Sequence, residues 1–160
     1  MTTATDVSAL LEPVAARARE AGVFGDVRLS GGRLVCEASG SAAPAEYRME
    51  AEEGRLWVSL VTADRWLSES IETELLHSGD KIEELIDEEM VELGYSGGQL
   101  PMQHYRSEDK LFTFRSAVPV TVPAPSPAPA AEVALAVQAL LGYEAAFRQL
   151  GDMDESDEED

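Results

Sequence analysis

Residues 46–63, EYRMEAEEGRLWVSLVTA, decide the fold class. Residues 46–52 alternate Tyr47, Met49 and Ala51 with Glu46, Arg48, Glu50 and Glu52. That period of two marks a strand with one buried face. Residues 55–63 are apolar on both faces, with Leu56, Val58 and Leu60 on one and Trp57 and Val61 on the other. A strand of that kind belongs in the middle of a sheet. Glu53-Gly54 makes a tight turn between the two, so they form an antiparallel hairpin.

Toward the N-terminus, residues 33–38 alternate Leu34, Cys36 and Ala38 with Arg33, Val35 and Glu37. This is a third strand, and Val27, Arg28, Leu29 and Ser30 form a short candidate edge strand before Gly31-Gly32. Upstream, Val7, Leu10, Leu11, Val14, Ala18 and Ala21 fall at helical spacing, with Gly22 as the stop. Pro13 either begins this helix or kinks it.

Toward the C-terminus, residues 65–93 read first as helix in two pieces divided at Ser78-Gly79, with a strand over 69–75 as the second reading. Asp80 and Glu83 stand at capping-box spacing for the second piece. Ile82, Leu85, Ile86, Met90 and Leu93 share its apolar face, and Glu83, Glu84, Asp87, Glu88 and Glu92 its polar face. Gly94 ends it. Strands follow at about 102–106 and 110–116, and Pro119 confines any extension over 118–122 to an edge. A Pro-rich linker at 123–129 leads to a helix from about 130 to 150, with Val133, Val137, Leu140, Leu141 and Phe147 apolar. The expected fold is α+β: an antiparallel sheet in the order α-β-β-β-α-β-β-α, with the helices on one side. The domain plan is a core over 1–122, the linker, a C-terminal helix over 130–151 on or beside the core, and a disordered acidic tail over 152–160.

The charge says more about function than any motif. Of 160 residues, 12 are Lys or Arg and 31 are Asp or Glu, for a formal net charge of −19. The tail holds seven of the acids, so the rest of the chain still carries −19 + 7 = −12. Such a chain repels nucleic acid and anionic membrane surfaces and suits a protein partner. Cys36 is the single cysteine, so no intramolecular disulfide forms, which fits a reducing compartment. The N-terminus shows no leader pattern, and no apolar run reaches membrane-spanning length. These features predict a cytoplasmic protein.

No residue constellation announces catalysis. His77 and His104 lie on separate elements without ligand partners at zinc spacing. Cys36, in a strand pattern beside Leu34, reads as a small buried hydrophobe rather than a nucleophile. The glutamates of 83–92 read as a solvated helix face rather than metal ligands. The glycine pairs lack phosphate-loop spacing. No metal, cofactor or catalytic residue is expected. Trp57 and Trp66 read first as core, and an exposed one would make an interface anchor.

In its order of elements, its size and its acidity, the chain over about residues 6–150 resembles the class I type III secretion chaperones and the related YbjN-like domains. The likeness is one of topology and rests on no signature motif. It implies a homodimer whose seam uses residues 80–93, with Ile82, Ile86 and Met90, together with the strand carrying Leu111, Phe112 and Phe114. It also implies apolar sheet patches that hold a partner polypeptide in extended form. The expected function is thus a non-enzymatic, chaperone-like module binding a protein or peptide. The alternative is an acidic inhibitor or immunity-type protein, a nucleic-acid mimic that meets a basic partner.

Overall fold

The computed structural model describes residues 7–30, 32–38, 45–52, 54–62, 82–95, 102–106, 112–122, 124–125 and 127–148. At 30, 82, 83, 102–106, 112 and 148 the description is of the backbone alone. The elements in chain order are α1 (Ser8–Ala21), β1 (Phe24–Ser30), β2 (Arg33–Ala38), β3 (Glu46–Glu52), β4 (Arg55–Thr62), α2 (Ile82–Glu92), β5 (Met102–Arg106), β6 (Phe112–Val118) and α3 (Ala130–Arg148). The six strands form one antiparallel sheet in the order β1-β2-β3-β4-β6-β5.

The α+β class is as expected, but the element order gains a strand. β1 is a full seven-residue edge strand rather than a stub over 27–30. Its register slips between Phe24 and Val27, and this bulge at Gly25-Asp26 hid the alternation. The β3–β4 hairpin closes on the pair Glu52 and Arg55. β4 lies inside the sheet, buried from Leu56 to Thr62, as its two-faced apolarity requires. β6 stops at Val118 because Pro119 has no N–H for the ladder. The expected helix piece before Ser78-Gly79, the tail over 152–160, Trp66, His77 and Leu111 lie outside the described residues.

α1 runs through Pro13 without a break and stops at Gly22. Its buried side chains, Leu10, Leu11, Val14, Ala15 and Ala18, sit over β1 and β2. α3 crosses β3, β4 and β6 and packs beside α1. Its Phe147 ring meets Phe114 of β6 with centroids 5.3 Å apart and Tyr143 at 5.4 Å. The Tyr143 and Ser116 hydroxyls share a buried hydrogen bond of 2.6 Å, which satisfies both inside the core. At its start, Glu132 accepts from the Thr121 amide (3.2 Å) and hydroxyl (2.8 Å), tying the helix to the segment after β6. α3 has the length and hydropathy to cross a membrane. Here it is the core helix, with Ala139, Leu140, Tyr143, Ala146 and Phe147 fully buried.

α1 and α3 lie on the sheet, and α2 packs on α3. Gly142 makes this possible: a Cβ there would stand 2.5 Å from Met90 Cγ and 3.6 Å from the Ile86 carbonyl oxygen. Helix propensity alone favours Gly142→Ala by about 1 kcal/mol. The clash opposes it, because Met90 is fully buried and its Cγ is mid-chain. We expect Gly142→Ala to lower stability by about 1–2 kcal/mol in denaturant melts. A stabilised variant would mean that α2 and α3 are further apart than described.

Candidate functional site

The exposed side of the helix layer is built by the end of α2. The Tyr95 amide donates to the Met90 carbonyl (2.9 Å) and the Gly94 amide to Val91 (3.0 Å), a Schellman closure. It needs a left-handed residue, and Gly94 supplies it at φ 103°. Gln138 of α3 pins the same turn by donating from Nε2 to the Leu93 carbonyl at 3.2 Å. As a result Leu93 leaves the apolar stripe of α2 and stands 43% exposed, next to exposed Val91. Glu84, Glu88 and Glu92, each four residues apart, line the outward face of α2.

Between this turn, the last turn of α1 and the middle of α3 lies an open cleft of about 350 Å³. Leu93, Val137 and Leu141 give it apolar walls, and Glu20, Arg17 and Gln138 stand at its polar side. Sequence reading placed Leu93 with the buried face and did not bring α1 to α3, so it missed the cleft. The one signal available was Gly94 directly after Leu93, which ends the helix and turns its last side chain outward.

The residues singled out from sequence are placed elsewhere. Ile86 and Met90 are fully buried within the chain, where α2 meets α3. Phe114 is covered by Phe147 rather than left as open surface. For Ile82 and Phe112 only the backbone is described, in α2 and β6. Trp57 faces away from the helices yet is 5% exposed. Its indole N–H donates to the Glu52 carbonyl (3.0 Å), and the Arg115 guanidinium lies 3.8 Å from the ring centroid while pairing with the Glu52 carboxylate. A ring so covered and satisfied is a structural anchor of the sheet's outer face.

That outer face is laced with ion pairs. Arg28 meets Asp26, Glu37 and Glu46, Arg48 meets Glu46, and Arg33 meets Glu50. Arg28, Arg33, Arg48 and Arg115 on it each have an acid partner. The β1 edge is blunted as well. It carries the bulge, and Arg19 of α1 donates to the Val27 carbonyl at 3.0 Å. Both devices discourage a further strand from pairing there.

Cys36 is fully buried in β2. Desolvation, opposed by Arg19 and assisted by Asp26, pushes its thiol from 9.0 up to about 12. At pH 8 this cuts the thiolate fraction about a thousandfold, so we expect no labelling by a thiol reagent until the chain is unfolded. Prompt labelling of native protein would contradict the burial. The contribution of the neutral thiol is intact below 9.0, and it is lost as pH rises toward about 12, where the unfolded thiol ionises first.

Asp87 of α2 has one buried carboxylate oxygen with no hydrogen-bond partner among the described residues. The nearby Tyr95 phenol is raised above its ordinary value, by burial first and by Asp87 second. Among the described residues no three His, Cys, Asp or Glu converge to hold a metal ion. Comparison with protein-family models, with characterised proteins and with solved structures finds no match to this chain.

Proposed function

We propose that this protein is a non-enzymatic, chaperone-like module that holds a partner polypeptide and acts as an acidic homodimer. The observation that carries the binding role is the open cleft of about 350 Å³ with Leu93 and Val91 exposed beside it, against an outer sheet face closed by ion pairs. Exposed apolar side chains rimmed by charge are the usual surface of a protein-binding site. The homodimer rests on the resemblance to secretion chaperones alone. With Ile86 and Met90 buried inside one chain, its seam in this conformation draws on other side chains.

Two measurements test the reading. Light scattering at micromolar concentration should give about twice the 17.3 kDa chain mass. Equimolar protein should suppress the aggregation of a client unfolded by heat or reduction, with no nucleotide added. A monomer that leaves client aggregation untouched sinks the proposal. The exposed Glu84, Glu88 and Glu92 keep the acidic inhibitor as a second reading. Binding that disappears between about 50 and 300 mM salt would favour it, since screening removes charge pairing but spares apolar contact.

A further inference from the structure

Resting on the protein-binding reading above, we propose that the cleft between α1, α3 and the Leu93 turn docks one class of partner: a short amphipathic segment rich in Lys and Arg, anchored by a large apolar side chain. The anchor's seat is the apolar wall of Leu93, Val137 and Leu141. A cleft between helices takes a helical ligand through apolar residues three and four apart. Its volume lies at the lower end of the range in which proteins enclose ligands, so one or two side chains enter and the rest of the segment lies outside.

Charge selects what lies outside. Glu20 stands in the cleft's lining, and Glu92, Glu88 and Glu84 lead away from Leu93 along the exposed face of α2. A basic segment emerging from the cleft meets this row in sequence. Arg17 is the single cation in the lining, since Arg19 is turned to the Val27 carbonyl of β1. A second copy of this chain is the poorer occupant, because it brings a further charge of −19 to an acidic rim. Nucleic acid is excluded for the same reason. The two features have separate work: the carboxylates speed and orient encounter, and the apolar anchor holds the complex.

The test uses three fluorescent 16-residue helical peptides with the same apolar positions and Lys, Gln or Glu elsewhere, titrated into the full chain. The Lys peptide should bind at least tenfold more tightly than the Gln peptide, with the Glu peptide weaker still. Reversing two exposed acids, in Glu88→Lys with Glu92→Lys, should cost the Lys peptide about tenfold, the sum of a few exposed charge pairs. Leu93→Ser should weaken all three peptides, and its side chain is exposed enough for the fold to lose. Unchanged melting of both variants keeps the comparison valid, and Leu141→Ser serves as the second anchor variant. Equal affinity for the three peptides overturns the charge selection and leaves polypeptide capture standing. If none binds while client aggregation is still suppressed, the cleft is not the site. If neither occurs, the binding role itself fails.

Discussion

Ile86→Asp should abolish the cooperative fold or lower its melting temperature by more than 10 °C. Ile86 has no exposed surface, and it packs where α2 crosses α3. The change removes an apolar side chain, worth about 2–5 kcal/mol at a buried site. It also introduces a carboxylate whose burial without a partner costs several kcal/mol. Against a typical total of about 5–15 kcal/mol, little stability remains. Glu84→Lys, two residues earlier, should change stability by less than about half a kcal/mol. Glu84 is exposed, and lysine there gains Glu88 as a neighbour one turn on. Circular dichroism melts of both variants decide the matter. A damaging Glu84→Lys with a silent Ile86→Asp would turn α2 over.

Phe114→Ala should cost about 3–5 kcal/mol, the range for emptying a buried aromatic site. Phe114 is 1% exposed, lies opposite Leu60 across the sheet and meets Phe147 of α3. For a chain of this length each kcal/mol moves the melting temperature by about 2–4 °C, so a fall near 10 °C is expected. The fall should be independent of protein concentration, because the ring is covered by its own chain. A cost under 1 kcal/mol would contradict the packing of α3 on β6. A melting temperature that rises with concentration only when Phe114 is present would make the ring a subunit contact.

The sheet was legible where side-chain period was unbroken. The alternation of 46–52 and the two-faced apolarity of 55–63 located β3, β4 and their hairpin to within a residue. β1 was half seen because a bulge shifts its register, and period-two reading fails where one residue is added. The two faces of α2 were legible, since Ile86 and Met90 are buried and Glu84, Glu88 and Glu92 exposed. What covers the buried face was not. An apolar stripe states that something packs on it, and the choice of α3 depends on Gly142, 50 residues from Glu92 along the chain. The cleft was invisible for the same reason, being made by three segments that only tertiary packing brings together. Trp57 reads first as core and is buried, but pattern does not show what covers it on the face away from the helices: Arg115 lies over the ring, and the Glu52 carbonyl accepts from its indole N–H.

Methyl-resolved NMR during titration with the lysine-rich amphipathic peptide shows where on the chain the peptide sits. The methyl signals of Leu93, Val137 and Leu141, which line the cleft, should shift with peptide, while Val35 and Val61 on the outer face of the sheet stay in place. Shifts confined to Val35 and Val61, with the cleft methyls unmoved, would contradict docking in the cleft.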